Sequence, residues 1–474
     1  MLKIQKSRNI VTNTNTRFLM KKFTFLCLCG LVLAGCGSSD PWKQADKIVS
    51  SMTKVSIPER EVTITDLGAV PCDSLNPCHD VINLAIINMS LQGGGVVKVP
   101  AGVFYTGPIT LKSNVALELE EGAVLRFSTD ESLYYPPVPT RWEGIDCYNT
   151  HPLLYAWGET NIAIRGKGTI DGQADRNHWW PRQREVERNG VASRLQLLEM
   201  GESGLPLHQR VFSPDVALRP QTLNFNHCKT VLIEGVTFLN SPFWVLHPLM
   251  CEDLTVRGVT INNDGPNGDG CDPESCRNVL IEGCTFNTGD DCIAIKSGRN
   301  EDGRKWNRPS ENIVVRDCYM ANGHGGVVIG SEISGGFRNL YVENCKMDSP
   351  QLDRVVRIKT STARGGVIEN VYVRNVEVGE CREAVLRINL RYEPGEKARR
   401  GFIPTVRNVN LENVHCLKSQ YGIRLDGLEE QKNIYDISVK NCVFEGVQDG
   451  NLVSGKVGKV ELDGTTINGQ KATL

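Results

Sequence analysis

The stretch Asn278–Cys284 reads NVLIEGC, and the same pattern returns as NIVVRDC at Asn312–Cys318 and as NLYVENC at Asn339–Cys345. Each copy begins with a turn-forming residue, continues with alternating apolar positions and ends in a small residue. From Thr230 onward the copies begin 23 to 38 residues apart, and a fixed motif at such an elastic period is typical of a solenoid. Further copies begin at Asn161, Thr230, Asp253, Asn370, Asn408 and Asp436.

These repeats predict an all-β chain folded as a right-handed parallel β-helix. Each copy supplies short strands whose alternate side chains point into the core, and neighbouring coils pair as parallel strands about 4.8 Å apart. The first residue of each copy, called the anchor below, suits a turn because Asn and Asp tolerate the left-handed conformation. Apolar spacing over residues 80–90 predicts one short helix that caps the N-terminal end of the coils.

The N-terminal segment has the features of an export signal. Lys21 and Lys22 precede an apolar run, residues 23–34, that is too short to span a bilayer as a permanent helix. Residues 33–36 read LAGC, which resembles the cleavage box of a bacterial lipoprotein and would make Cys36 the lipidated first residue. We therefore predict an exported lipoprotein of the cell envelope, in the periplasm or at the outer-membrane surface. The alternative is an ordinary signal peptide.

After a signal segment over residues 1–36, we predict a polar tether over residues 37–55 and a single β-helix domain over residues 56–474. The repeat is interrupted once, by a charged insertion at about residues 174–220 that either walls one end of a groove or decorates the surface. A formal charge of −2 argues against a general nucleic-acid binder, and contact with a membrane is expected only through a lipid anchor.

Seventeen cysteines in an exported chain raise the question of disulfides. Cys72 and Cys78 flank a polar loop and are the best candidates for a pair, with Cys271 and Cys276 as a weaker second pair. The cysteines that end the repeats are better interpreted as small buried apolar residues. They are Cys284, Cys318, Cys345 and Cys442.

Polar motifs interrupt the apolar pattern at equivalent places in successive copies. Asp290 lies twelve residues after its anchor and His324 lies twelve after the next anchor, so the two should face each other one strand spacing apart. Asp269 belongs to the preceding coil. Arg357 and Lys359 belong to the following coil and, being two residues apart on a strand, face the same side. The spacing predicts one cleft that holds carboxylates, an imidazole and two cations.

Each motif alone has a simpler interpretation, because Asp in a glycine-rich turn is usually turn chemistry and Gly-Asp-Asp also resembles calcium ligands. In register, the set suits glycoside hydrolysis, which needs one carboxylic acid to protonate the leaving oxygen and one carboxylate to activate water or attack carbon. The adjacent cations indicate an acidic sugar, since a carboxylate pairs well with a guanidinium and an ammonium group. A uronic-acid polymer fits these requirements.

The motifs Asn267-Gly268-Asp269, Gly289-Asp290-Asp291, Gly323-His324-Gly325 and Arg357-Ile358-Lys359, in this order on a β-helix, resemble those of glycoside hydrolase family 28, the polygalacturonases and related pectin hydrolases. The resemblance covers about residues 62–460. One departure is Gly268, where the family usually has Thr.

The resemblance implies an inverting hydrolysis without a metal or other cofactor. In it Asp290 is the general acid, Asp269 and Asp291 hold and activate the water, and His324 supports the acid. Residues implied to bind the substrate are Arg357 and Lys359, next to the scissile bond, with Lys296 as a further candidate for substrate contact.

We therefore expect hydrolysis of α-1,4-galacturonosidic bonds in pectin, with exo action on oligogalacturonides as one form of it. The substrate class is an acidic polysaccharide or oligosaccharide. Within the family, the alternative is a hydrolase directed at rhamnogalacturonan, although that branch typically lacks the His and the Arg-x-Lys pair. From other classes, the alternatives are a calcium-dependent pectate lyase on a β-helix and a non-catalytic carbohydrate-binding solenoid.

Overall fold

Parallel strands stacked in columns form the computed structural model of the chain, which describes residues 40–181, 190–212, 214 and 218–474. Strands that follow the anchors belong to one sheet of 24 strands, sheet 1. The other columnar strands form sheet 2, in pieces of four and six strands that single bridges at Cys271 and Glu274 connect. The described part of the chain from Pro41 to Leu474 is one unit. The predicted parallel β-helix is confirmed.

Sheet 1 contains two columns of strands, and two long strands, Val367–Glu380 and Thr405–Lys418, run through both. The other strands of the first column are Glu61–Thr63, Gly95–Val99, Val115–Leu119, Thr160–Gly166, Lys229–Glu234, Glu252–Arg257, Arg277–Glu282, Ser310–Arg316, Phe337–Glu343, Ile434–Lys440 and Val460–Asp463. Those of the second column are Gly102–Thr106, Ala123–Phe127, Thr169–Asp171, Thr237–Leu239, Thr260–Asn263, Thr285–Thr288, Tyr319–Asn322, Lys346–Met347, Val443–Phe444, Thr466–Ile467 and the antiparallel Gln470–Lys471.

Sheet 2 carries the strands on which the polar motifs lie. Its strands are Ile109–Thr110, Leu154–Trp157, Leu223–Asn226, Leu246–Leu249, Ile293–Ile295, Val327–Gly330, Arg354–Lys359, Ala384–Asn389, Tyr421–Asp426 and Leu452–Ser454. Outside the coils, an antiparallel hairpin pairs Val138–Trp142 with Ile145–Asn149. Helices bounded within the described residues are α1 (Pro41–Ser51), α2 (His79–Leu91), α3 (Gly190–Glu202) and α4 (Asn300–Trp306), and 3-10 turns there span Ile64–Leu67, Glu131–Tyr134 and Leu207–Gln209.

The anchors take the left-handed conformation that the repeat predicts, with φ of 57° at Asn278, 59° at Asn312 and 67° at Asn339. Their side chains form a ladder along the helix axis. Asn312 Nδ2 donates to Asn278 Oδ1 (3.0 Å), and Asn339 Nδ2 donates to Asn312 Oδ1 (2.9 Å). Asn is therefore used at this position both for its backbone tolerance and for an amide that can donate and accept between coils.

The core is a continuous stack of inward-facing apolar side chains, and the repeat-ending cysteines belong to it. Cys284, Cys318, Cys345 and Cys442 are all buried there, as predicted. All 14 cysteines in the described part of the chain are free thiols, so neither suggested disulfide is present. Cys72 is exposed and Cys78 buried, while both members of the second suggested pair are buried core residues. Cysteine occurs at these core positions because a small side chain stacks well between neighbouring coils, and no cross-link is needed to explain it.

The capping helix predicted over residues 80–90 is present as α2, which buries Ile82, Ala85, Ile86 and Met89 over the first coils. Residues 40–55, expected to belong to a polar tether, instead include the helix α1. Its Ala45 and Ile48, with Met52 just beyond its end, pack against Leu280, Val314 and Tyr341 on the outer face of sheet 1. Burying an Ile or Met side chain contributes about 1.5–3 kcal/mol, enough to hold a short helix in place. The signal segment and Cys36 lie outside the described residues.

A second, smaller apolar cluster lies beside the coils and joins the hairpin to α3 and to the turn before Leu246. Its members are Trp142, Ile145, Cys147, Leu197, Leu198, Phe212, Leu218, Phe243 and Trp244. Stacked rings connect it internally, with Trp142 and Phe243 centroids 4.8 Å apart. Among the helices of the described residues, none is long and apolar enough to cross a membrane.

Candidate active site

Asp290 and His324 lie side by side on adjacent coils. The backbone N–H of His324 donates to the carbonyl oxygen of Asp290 at 3.0 Å, and His324 Nδ1 lies 3.0 Å from Asp290 Oδ1. The structure thus brings together the two residues that share a position relative to their anchors. The side-chain hydrogen bond to Asp290 raises the pKa of His324, and this effect outweighs the partial burial of the ring, which lowers that pKa.

Three aspartates meet where strands of sheet 2 begin. One carboxylate oxygen from each of Asp269, Asp290 and Asp291 lies within 4.8 Å of the others. Parallel pairing fixes this arrangement, because the N–H of Gly270 donates to the carbonyl oxygen of Asp291 (3.0 Å) and that of Cys292 to Gly325 (2.8 Å). Carboxylate oxygens at this spacing are also donors that Ca²⁺ accepts, but lysine ammonium groups already supply positive charge here.

Asp291 is held as an anion. Its carboxylate is fully buried and lies 2.7 Å from Lys359 Nζ and 3.5 Å from Arg357 Nη1. Burial alone would raise the pKa of Asp291, but the two cations outweigh it and lower that pKa to about 2. Because Arg357 and Lys359 are two residues apart on one strand, their side chains point to the same face and reach the same carboxylate. Tyr392 covers both cations, with its ring centroid 5.6 Å from the guanidinium and 5.4 Å from the ammonium.

Asp269 has the opposite electrostatic environment. Burial and the neighbouring charge of Asp290 raise the pKa of Asp269 to about 7. Burial also raises the pKa of Asp272, which lies next to Asp269 and is completely enclosed. Adjacent carboxylates whose pKa values are pushed apart are the usual means by which one site holds both a proton and a negative charge at the same pH.

Lys296, predicted to contact the substrate, has its ammonium occupied by three carboxylates. Its Nζ lies 3.2 Å from Glu332 Oε2, 3.4 Å from Asp272 Oδ1 and 3.5 Å from Asp269 Oδ2, and the side chain is only 3% exposed. The same Nζ lies 4.4 Å from the centroid of the Trp244 ring. Lys296 lines the cavity, but its contacts are those of a buried counter-ion for Asp269 and its neighbours.

A cavity of about 610 Å³ opens over the three aspartates. The hairpin contributes one wall, with Trp142 and with Glu143 at its turn, while Arg194 of α3 and residues 218–219 continue it. The insertion predicted at about residues 174–220 therefore supplies part of the wall. On the other side of the aspartates the lining residues are Asp353, Arg354, Arg357, Lys359 and Tyr392, while Glu393 joins Arg194 and Arg299 of the wall.

A buried ion-pair network ties the wall together. The Arg299 guanidinium lies 3.1 Å from Glu143 and from Glu332, 2.8 Å from Glu393 and 2.9 Å from Glu396. These carboxylates come from the hairpin turn, the end of the His324 coil and the loop that follows Asn389. The network is not predictable from the repeat, because its members lie in connections of irregular length.

Several lining residues carry no signal in the sequence pattern. Trp142, Arg219 and Tyr392 stand outside the repeat motifs, and only the fold shows that they face the aspartates. Glu332 has a weak signal, since it follows the strand that begins just after the Gly-His-Gly motif. Asp272 is visible three residues after Asp269, but its complete burial is not.

Comparison with known proteins relates this site to carbohydrate-active enzymes. The family profile described as glycosyl hydrolases family 28 matches residues 214–414. Among solved structures, the chain is similar to a hyperthermoactive exopolygalacturonase from Thermotoga maritima. The two are 40% identical, the match covers 91% of this chain and 97% of that chain, and the TM-score is 0.86.

Two curated relatives extend the comparison. The chain is 26% identical over 486 residues to an exo-poly-alpha-D-galacturonosidase of Dickeya chrysanthemi, covering 89% of this chain and 77% of that protein. It is 29% identical over 354 residues to a probable polygalacturonase of Vitis vinifera, covering 71% of this chain. The match spans 64% of the length of the Vitis protein.

Proposed function

This chain belongs to glycoside hydrolase family 28, and on that premise we propose that it hydrolyses α-1,4-galacturonosidic bonds in pectin. The observation that carries the proposal is the contact of Asp291 with Lys359 and Arg357 within a cluster of three carboxylates. The carboxylates supply acid and base chemistry, and the two cations lie next to them where an acidic sugar would bind. The relatives named for polygalacturonase activity support the same substrate class.

In the proposed mechanism Asp290 is the general acid. It is the most accessible of the three carboxylates, with 21% of its side chain exposed, and His324 contacts one of its oxygens. That contact fixes which oxygen can turn towards the glycosidic oxygen of the substrate. Proton transfer from Asp290 then releases the leaving sugar as a neutral alcohol.

Asp269 and Asp291 are positioned to hold the attacking water. A water that donates to two oxygens, each at about 2.8 Å, spans about 4.6 Å between them, and their oxygens lie within 4.8 Å. Asp291 remains ionised because of Lys359 and Arg357. Asp269, with a pKa of about 7, can take up the proton that the water loses near neutral pH.

The proposed displacement is direct and inverts the anomeric carbon. The oxygens of the acid and of the water-holding pair are closer than the roughly 6.5–9.5 Å between carboxyl groups that is usual for inverting enzymes. In the proposed arrangement two buried carboxylates hold the water beside the acid, in place of a single base that faces the acid across the water. The anomeric configuration of the first product therefore tests the mechanism directly.

We further propose exo action, in which the sugar chain enters the cavity by its end. The hairpin turn, Arg194 of α3 and the ion network around Arg299 form a continuous wall of the cavity. A groove that is walled at one side accepts a chain end more readily than the middle of a polymer. The similarity to an exopolygalacturonase structure supports this form of the activity.

The product profile on defined oligogalacturonides tests the activity and its form. We expect monogalacturonate to appear first from a pentamer, with shortening by one residue at a time. Asp290→Asn should lower kcat by about 10²- to 10⁴-fold, since it removes general acid catalysis, whereas the exposed control Asp66→Asn should match the wild type. Random internal cleavage would contradict exo action, and an unsaturated product absorbing in the ultraviolet would replace hydrolysis by a lyase reaction.

We also propose that the chain is a lipoprotein of the cell envelope. Support comes from the sequence alone, in the basic pair before the apolar run of residues 23–34 and in the LAGC box that ends at Cys36. Metabolic labelling with a fatty-acid analogue should mark the wild-type protein and not Cys36→Ser. Equal labelling of both proteins, or of neither, would contradict lipidation at this cysteine.

A further inference from the structure

Cationic side chains line the cavity on both sides of the aspartates, and one of them differs from the rest. Among the described lining residues, six have a carboxylate within 4.0 Å and Arg219 does not. The six are Arg194, Lys296, Arg299, Arg354, Arg357 and Lys359.

Arg219 contacts only uncharged acceptors. Its Nη1 donates to the carbonyl oxygens of Pro242 (2.8 Å) and Pro266 (2.7 Å), and its Nη2 donates to Asn267 Oδ1 (2.7 Å). The guanidinium carbon lies 5.1 Å from the centroid of the Phe243 ring. These contacts hold the guanidinium against the loop that carries Asp269 and leave it with no carboxylate within 4.0 Å, so that Glu143 acts on its charge only from farther away.

The lack of a contacting carboxylate matters because Arg219 is buried, with only 5% of its surface exposed. Burial lowers the pKa of Arg219 to about 10, so the side chain remains cationic at neutral pH. Buried charges in proteins are normally paired, since leaving one unpaired is strongly unfavourable. Arg219 also lines the substrate cavity, so a carboxylate of the substrate would supply the contact that this buried cation lacks.

The position of Arg219 identifies which part of the substrate it would meet. Arg219 leads into the strand Leu223–Asn226, and the order of coils from there runs through Leu246–Leu249 and the coils of the three aspartates. The strand of Arg357 and Lys359 lies beyond, after the coil of His324. The aspartates therefore lie between Arg219 on one side and the Arg357–Lys359 pair on the other.

We propose that Arg219 binds the carboxylate of the galacturonate on the glycon side of the scissile bond, the sugar whose anomeric carbon is attacked. The inference rests on the proposed function. The carboxylate of Asp290 contacts His324, which lies on the coil next to that of Arg357. Because Asp290 protonates the leaving sugar, that sugar is assigned to the Arg357 side and the attacked sugar to the Arg219 side. Because every residue of galacturonan carries a carboxylate, the two sugars at the bond present one anion to each cationic site. A guanidinium pairs with a carboxylate through two parallel hydrogen bonds.

The test compares two aryl glycosides that differ only at this group. A 4-nitrophenyl α-galacturonide has a single carboxylate, on the glycon side, and 4-nitrophenyl α-galactoside has a hydroxymethyl group in its place. We expect the wild type to prefer the galacturonide in kcat/KM, and Arg219→Gln to reduce that preference by about 100-fold by lowering the galacturonide value alone. The exposed Arg338→Gln, which breaks a surface pair with Glu311, controls for the loss of one positive charge.

Equal losses on both glycosides would overturn the proposal and leave Arg219 as a residue that only positions the loop of Asp269. If Arg219→Gln does not fold, Arg219→Lys keeps the charge but loses the two-pronged pairing, so its preference should fall by about tenfold. If Arg219→Lys prefers the galacturonide over the galactoside as strongly as the wild type does, the proposal is also overturned. If the wild type cleaves oligogalacturonides but shows no preference between the aryl glycosides, only this inference fails. If it cleaves no galacturonan, the proposed function itself fails.

Discussion

Lys359 Nζ lies 2.7 Å from Asp291 Oδ2, although 68 positions separate the two residues in the sequence. The β-helix makes this contact possible because each coil returns to the same face of sheet 2, and Lys359 follows Asp291 by two coils. The ion pair keeps Asp291 negatively charged beside Asp269, whose pKa is raised to about 7. The different pKa values of Asp269 and Asp291 therefore depend on how the coils pair with one another.

His324 should control the alkaline side of the pH profile. Its contact with Asp290 raises the pKa of His324, so the imidazole keeps its second proton to higher pH than a free histidine and loses it as the pH rises through that raised value. We expect His324→Ala to lower kcat by about 10- to 100-fold and to remove this limb from a plot of kcat against pH. A variant profile that superimposes on the wild-type profile after scaling would show that His324 does not act through its proton.

Asp269→Asn should stabilise the protein at neutral and alkaline pH while abolishing activity. The pKa of Asp269 is about 7 in the folded protein against 3.8 in the unfolded chain, so the folded state binds more protons between these values and wild-type stability falls as the pH rises from about 4 to 7. Asn has no proton to lose, and the gain should reach a few kcal/mol at pH 8.

The measurement is the melting temperature of variant and wild type at pH 5 and pH 8, with Asp66→Asn as the exposed control. The difference between Asp269→Asn and the wild type should grow with pH, whereas that of the control should not. A difference that is independent of pH would contradict the raised pKa.

Lys296→Met should strongly destabilise the fold. The change leaves Asp269, Asp272 and Glu332 buried without their common cation, and breaking a buried ion pair costs about 3–5 kcal/mol. The matched control is Lys167→Met, whose partner Glu121 is on the surface and whose ion pair is worth about 0–1 kcal/mol. Denaturant unfolding of both variants checks the prediction. Similar stabilities would mean that Lys296 is not the counter-ion of the cluster.

The anchor ladder should contribute to stability through both backbone and side chain. Asn312→Ala loses the amide bonds to Asn278 and Asn339 and places a Cβ residue at φ 59°, at a combined cost of about 2–4 kcal/mol. Asn312→Gly loses the same bonds but relieves the backbone, so thermal unfolding should rank it between Ala and the wild type. If Ala equals or exceeds Gly in stability, the left-handed conformation is not what selects Asn.

The repeat made the coils predictable from the sequence, and with them the meeting of Asp269, Asp290, His324 and the Arg357–Lys359 pair. The number of residues between an anchor and a polar residue predicts these contacts because strand pairing places equivalent positions of neighbouring coils side by side. The same reasoning fails for residues whose contacts are made by connections of irregular length. Arg219, Arg299 and Tyr392 face the cavity from such connections.

Two further differences have physical causes. Helix α1 was not expected because residues 37–55 are polar on average, yet the few apolar residues of α1 fall on one face and cover outward-facing apolar residues of sheet 1. Lys296, which directly follows the strand Ile293–Ile295, was a further candidate for substrate contact, and it does line the cavity. Its burial among three carboxylates depends on Asp272 and Glu332, whose orientation the repeat does not specify.

In the proposed mechanism a water held by Asp269 and Asp291 displaces the leaving sugar in one step while Asp290 protonates that sugar. Proton NMR of a fresh digest of trigalacturonate, recorded before mutarotation, reports the anomer that forms first. We predict that the β-anomer of galacturonate appears first from the α-linked substrate. First appearance of the α-anomer would show a two-step reaction through a carboxylate bound to the sugar, and would contradict direct displacement by water.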